Sequence, residues 1–186
     1  MEKLVYVFLA DGFEEVEGLT AVDLLRRAGA EVKTVSVTGK KQIVGAHEIR
    51  GESDLFIEEL EAEKEKMADM LVLPGGMPGT THLKEHQGLA ALLKKQNDRG
   101  GFLAAICAAP SVFAGLGFLE GKRATSYPDC VDPKCCGSYV EEAVVRDGHV
   151  ITSRGVGTAI PFALTLIEVL MGKDRAEEVA ASILYR

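Results

Sequence analysis

Three short stretches of the chain are apolar almost without interruption, and each is closed by residues that a hydrophobic core would not choose. Leu4–Ala10 (LVYVFLA) runs into Asp11-Gly12 and a group of glutamates, Asp69–Pro74 (DMLVLP) into Gly75-Gly76, and Phe102–Ile106 (FLAAI) into Cys107. A run of this length without polar alternation is how a strand reads when both of its faces are buried, the situation of parallel strands covered by helices on either side. Helical patterns lie between these runs. Glu14–Ala28 carries acids in its first turn, Arg26 and Arg27 in its last, and Gly29 as its stop, as the helix dipole prefers. A long helix is expected over roughly Thr80–Asp98, bearing Leu83, Leu89, Ala90, Leu92 and Leu93 and ended by Gly100-Gly101.

The remaining segments are shorter. Glu31–Thr38 alternates as a half-buried strand, and Gly39–Leu60, broken by Gly45 and Gly51, reads as short strands on one sheet edge. The chain turns at Cys107 into a helix towards Gly117, and Ala124–Tyr127 reads as a short strand. Ala143–Thr152 reads as a hairpin about Asp147-Gly148, a strong turn signal. Helices over Thr158–Met171 and Asp174–Leu184 close the chain, with Pro161 tolerated in a first turn. Without repeat or linker, residues 1–186 form one doubly wound α/β sandwich, a mostly parallel sheet with an added antiparallel hairpin. Ligands in such folds sit beyond the carboxyl ends of the strands. The three special strand ends therefore converge on one crevice.

Composition removes several functions. Of 186 residues, 47% are apolar and 26% charged, and 21 Lys+Arg against 28 Asp+Glu leave a net charge of −7. An acidic chain without a basic stripe does not suit nucleic acid or an anionic membrane surface. Leu4–Ala10 is too short for a membrane helix and lacks a signal-type cleavage site, so the cytoplasm is the expected address. Four cysteines there read as thiols rather than a disulfide framework.

Cys107 is the sharpest chemical candidate. At a tight strand-to-helix turn it resembles a nucleophile elbow, and a helix N-terminus lowers a thiol pKa; the bland alternative is a buried cysteine acting as a small hydrophobe. Its partner is sought on the first helix, where 100° steps put Glu17 on the apolar stripe of Ala21, Leu24 and Ala28. Glu14 lies at the margin of that stripe and Glu15 points away, both reading as solvated, dipole-stabilised charges. A carboxyl on an apolar stripe is desolvated, holds its proton more tightly, and suits general acid work. Gly75-Gly76 permits close backbone approach, so an N–H there and that of Ala108 are candidates for an oxyanion hole, against the plainer reading of a turn.

The other motifs are weak. His82 and His86, at i and i+4, share a helix face without a third ligand at a supporting spacing, and read as an exposed pair. Cys130, Cys135 and Cys136 lack a paired CxxC pattern and read as structural thiols. Gly115-x-Gly117 and Lys40-Lys41 do not fit nucleotide-binding frames. No metal or cofactor is expected.

Taken together, ADGFEEVE (Ala10–Glu17), LPGG (Leu73–Gly76), AAICAAP (Ala104–Pro110) and TSRGVGTA (Thr152–Ala159) resemble the ThiJ/PfpI superfamily over nearly the whole chain. The resemblance is to the branch of the parkinsonism-associated deglycase/chaperone protein and its bacterial relatives. It implies a flavodoxin-like fold and a homodimer. It also implies Cys107 as the reactive thiol, Glu17 as its protonated partner, and the amides of Gly76 and Ala108 around the reacting oxygen. With the first helix at the family's dimer interface, Asp23, Arg26 and Arg27 take cross-subunit roles. Ala108 stands where the peptidase-like branch has a histidine, which argues against a protease. Tyr127 replaces another histidine near the cysteine, and a phenol of pKa about 10 is a poor base at neutral pH. Val156 replaces a proline of the SRGPG-type loop. The expected function is a glutathione-independent glyoxalase or deglycase acting on a small aldehyde, methylglyoxal or its early adducts. The competing expectation is a cysteine-based oxidative-stress sensor and holdase.

Overall fold

The three apolar runs form the centre of one sheet. A computed structural model describes residues 3–62 and 67–186. In chain order the elements are β1 (Leu4–Leu9), α1 (Glu15–Arg27), β2 (Glu31–Ser36), β3 (Gln42–Val44), β4 (Arg50–Glu52), β5 (Leu55–Phe56), α2 (Ile57–Ala62) and β6 (Met70–Leu73). There follow α3 (Gly79–Glu85), α4 (Gln87–Asp98), β7 (Phe102–Ile106), α5 (Pro110–Gly115), β8 (Arg123–Ala124), β9 (Ser138–Tyr139), β10 (Val144–Asp147), β11 (Val150–Ser153), α6 (Ala159–Met171) and α7 (Lys173–Ser182). The main sheet runs β10-β11-β7-β6-β1-β2-β5, parallel except where β10 pairs antiparallel with β11. This is the expected doubly wound sandwich with its added hairpin.

Alternation along β1 divides the core in two, because successive side chains of a strand point to opposite faces. Val5, Val7 and Leu9 face a layer that includes Leu24 and Leu25 of α1 and Phe162 and Leu166 of α6. Tyr6 and Phe8 face Leu83, Leu89, Leu93 and Phe113 of α3, α4 and α5. At about 1.5–3 kcal/mol per fully buried large apolar side chain, these two layers fix the strand ends that carry the unusual residues. Among the described residues, no helix is long and apolar enough to cross a membrane.

Three expectations change. Within Gly39–Leu60 only β5 joins the sheet edge; β3 and β4 form a separate hairpin, and Ile57–Ala62 is helical. That hairpin is anchored to the loop after β1, where Gly12 N–H donates to Val44 O (2.7 Å) and Val44 N–H to Asp11 Oδ1 (2.9 Å). The helix expected over Thr80–Asp98 breaks at His86, whose backbone is extended and whose Nδ1 accepts the Leu89 N–H (3.0 Å) as a cap. His82 and His86 consequently share no helix face. Finally, the helix after Cys107 starts only at Pro110 and has six residues.

Candidate functional site

Cys107 leaves β7 in the left-handed region, with φ 66°. A side-chain-bearing residue pays roughly 1–2 kcal/mol for that conformation, and it persists because its backbone is fixed on both sides. Cys107 N–H donates to Ser153 O of β11 (3.0 Å), and its carbonyl accepts Tyr127 N–H (2.8 Å). The thiol is half-buried and lies against Gly75, where an added Cβ would fall 2.6 Å from Cys107 Cβ. The glycine is there for space.

Glu17 comes to the same point from α1. It is buried on the stripe with Ala21 and Leu24, 1% exposed, and its Oε2 accepts the Gly75 N–H at 2.9 Å. Its Oε1 is buried without a hydrogen-bond partner among the described residues, and the carboxyl and the Cys107 thiol shift each other's titration. Burial pushes Glu17 up to about 7, opposed by the Gly75 N–H and the thiol and aided by nearby Glu14. Burial also pushes Cys107 up, to about 12, with the charge and hydrogen bonding of Glu17 adding to it, while the N–H groups of Ala108 and Gly76 pull it down. Two such groups titrate as a pair, and the second ionisation is strongly suppressed. The pair first ionises near pH 7, and above that it holds one proton and one negative charge.

The expected source of thiol activation is therefore corrected. Cys107 precedes the short α5 by three residues, so helix polarity does not lower its pKa; the groups that favour its anion are two backbone amides. The sequence places these at Gly76 and Ala108, and the structure brings both to the sulfur. Gly76 adopts φ +90°, and a Cβ on it would meet Glu14 N at 2.3 Å and Gly12 O at 2.6 Å. Gly76→Ala is expected to cost roughly 3 kcal/mol or more, read by urea denaturation; a loss under about 1 kcal/mol would contradict this packing.

Cys107, Glu17, Gly76 and Tyr127 line a cavity of about 470 Å³ together with Glu14 and Arg154. Tyr127 is 54% exposed and contributes rim rather than floor. Arg154 and Gly155 also line the cavity; the sequence reading contains them in TSRGVGTA but does not assign them to the site. They follow β11, another parallel strand end, which the hairpin reading of Ala143–Thr152 concealed. A Cβ on Gly155 would lie 3.9 Å from both Cys107 Sγ and Glu17 Oε1, so its lack of a side chain keeps the cavity open between them.

Glu15 departs from expectation. It is 3% exposed and clasped by the 45–49 turn, accepting His47 N–H (2.8 Å) and contacting His47 Nδ1 (2.8 Å). Glu14, Glu15 and His47 form the one trio of metal-type ligand atoms brought together among the described residues, but His47 Nδ1 is already engaged with Glu15, and the trio serves as a clasp. Asp23, Arg26 and Arg27 stand away from the cavity: Arg27 pairs with Asp23 (2.7 Å) and Arg26 with Asp54 (2.7 Å). Cys130, Cys135 and Cys136 are free, half-buried thiols, the last two packed against the α3–α5 layer.

A doubly wound sheet that holds one thiol on a strained turn beside a buried carboxyl defines a class: α/β proteins with an elbow-mounted cysteine. Within that class the family is shown, since the DJ-1/PfpI family model matches residues 3–169, and the chain belongs to it. It is 40% identical to "Protein dj-1beta" of Drosophila melanogaster over 99% of this chain and 98% of that protein. It is also 40% identical to "Protein DJ-1 homolog A" of Arabidopsis thaliana, over 99% of this chain but only 47% of the relative, so the chain spans about half of that protein. A relative from Caenorhabditis elegans named "Glutathione-independent glyoxalase DJR-1.2" is 33% identical over 89% of this chain and 87% of its own length. Among solved structures, Drosophila melanogaster DJ-1beta superposes with a TM-score of 0.92 at 39% identity, all of both chains being covered. An oxidized Toxoplasma gondii DJ-1 superposes with a TM-score of 0.91 at 36% identity over 98% of each chain.

Proposed function

We propose that the chain is a cysteine-dependent, glutathione-independent glyoxalase or deglycase acting on methylglyoxal-type 2-oxoaldehydes and their early adducts on protein or nucleotide amines. The observation that carries this reading is the buried Glu17 carboxyl beside the Cys107 thiol, its proton held up to about pH 7. The Cys107 thiolate adds to the aldehyde carbon, and the carbonyl oxygen takes the proton of Glu17, giving a hemithioacetal. The Glu17 carboxylate then removes the hydrogen on that carbon as a proton and returns it to the neighbouring carbon, while the hemithioacetal hydroxyl gives its proton to the ketone oxygen and becomes the thioester carbonyl. The product is a thioester of a 2-hydroxy acid. Water cleaves it, releasing lactate and restoring the thiol, so one aldehyde and one water give one acid without an external oxidant or reductant. The amides of Gly76 and Ala108, which favour negative charge on the sulfur, are suited to the oxyanion of this last step.

The name of the Caenorhabditis elegans relative supports the same chemistry. A homodimer through α1 fits the exposed Val16 and Leu19 on that helix, with Asp23, Arg26 and Arg27 at its margin; sedimentation at twice the chain mass tests it. Four free thiols suit a reducing compartment such as the cytoplasm. A second reading, a redox sensor and holdase in which Cys107 becomes a sulfinic acid, is favoured by the relative solved in an oxidized state. One assay separates the two. Lactate formed from methylglyoxal without glutathione supports the enzyme; no lactate, with two oxygens gained at Cys107 after mild peroxide, supports the sensor.

A further inference from the structure

Among the described residues, one cation that lines the cavity has no ion pair. Arg154 follows β11 and is half-buried; its backbone N–H donates to Thr158 Oγ1 (3.3 Å). Its Nη1 is buried without a hydrogen-bond partner, and no ion pair engages it among the described residues. A guanidinium is a permanent cation with five donors in a fixed fork, and its side chain makes no hydrogen bond or ion pair with the described residues. The acids that line the same cavity do not supply an acceptor. Glu17 gives Oε2 to Gly75 N–H, and Glu14 lies 3.6 Å from His47 Nδ1. Arg154 and Cys107 share one small cavity, so a compact molecule can touch both.

We propose that Arg154 is a specificity-determining residue, and that the cavity takes electrophiles carrying an oxyanion, a carboxylate or a phosphate, held by the guanidinium while the electrophilic carbon meets Cys107. The inference rests on Cys107 being the reactive group of the proposed function. It adds that acidic 2-oxoaldehydes are preferred over neutral ones. The geometry suits the task, since guanidinium and oxyanion form charge-assisted hydrogen bonds of fixed direction.

Iodoacetate and iodoacetamide test this without turnover, because they are close in shape, alkylate the same sulfur and differ in charge. Alkylation of Cys107 is followed by peptide mass in wild type, Arg154→Met and Arg154→Lys. The iodoacetate-to-iodoacetamide rate ratio is expected to fall about tenfold in Arg154→Met, the scale of one charge-assisted contact, and to recover partly in Arg154→Lys. Both reagents meet the same thiolate, so a general change in Cys107 reactivity cancels in the ratio. Inorganic phosphate and acetate, added separately, should slow alkylation of the wild type but not of Arg154→Met, and the stronger of the two identifies the preferred oxyanion. A ratio unchanged in Arg154→Met, with lactate formation intact, overturns the inference and leaves the proposed function standing. A Cys107 that neither reagent alkylates overturns both.

Discussion

Cys107→Ala is expected to lower lactate formation from methylglyoxal by about a thousandfold or more, the loss that follows when the atom forming the covalent bond is removed. The substitution should leave the fold nearly intact. It removes a half-buried sulfur, keeps a Cβ at the same φ of 66°, and leaves Glu17 bonded to Gly75. Stability should change by less than about 1 kcal/mol, so loss of activity cannot be assigned to unfolding. Replacing Cys130, Cys135 or Cys136 by Ser should leave the rate within about twofold, since they stand outside the cavity. A Cys107→Ala protein that keeps the wild-type rate ends the enzymatic reading.

Glu17→Gln is expected to change how stability depends on pH. Folding raises the Glu17 pKa from 4.5 to about 7, so the folded chain binds this proton more tightly than the unfolded chain. Its contribution to stability is complete below about 4.5, declines as pH rises, and is gone above about 7. The interval corresponds to roughly 3 kcal/mol. Urea denaturation at pH 4.5 and pH 8 should show wild type losing roughly that amount relative to Glu17→Gln, which has nothing to titrate at this position. Glu15 and Asp54, both held below the usual carboxylate range, act with the opposite sign and at lower pH, and they cancel in the comparison. Parallel pH profiles for the two proteins would mean that Glu17 is ionised and solvated in the folded state. The same substitution removes the proton carrier and should cost about 100-fold or more in turnover.

The central strands, the first helix and the place of Glu17 on its buried face are legible because each rests on local pattern. Leu4–Leu9 and Phe102–Ile106 are buried on both faces and so carry no polar alternation, and Glu17 interrupts an apolar stripe whose period is that of a helix. What escaped the sequence depends on contacts between distant segments. Glu15 is buried because a turn thirty residues later closes over it, with Gly45 leaving room for its carboxylate, where a Cβ would lie 2.1 Å from Oε1. His86 ends one helix and caps the next, a role set by its backbone rather than by its place in an apolar period. Arg154 and Gly155 enter the site because β11 lies beside β7, and a hairpin signal says nothing about which strand its second arm joins. The source of thiol activation was misread for the same reason: the amide of Gly76 comes from another strand end, and the helix after Cys107 is too short and too late.

The most direct test is the rate at which iodoacetamide alkylates Cys107 in the folded protein, followed against pH. A thiol sharing one proton with Glu17 should gain reactivity with a midpoint near pH 7, where the pair first ionises, and then level off. Reactivity that climbs only above about pH 8.5, as for an isolated thiol, would show that the carboxyl does not take part and would contradict the account.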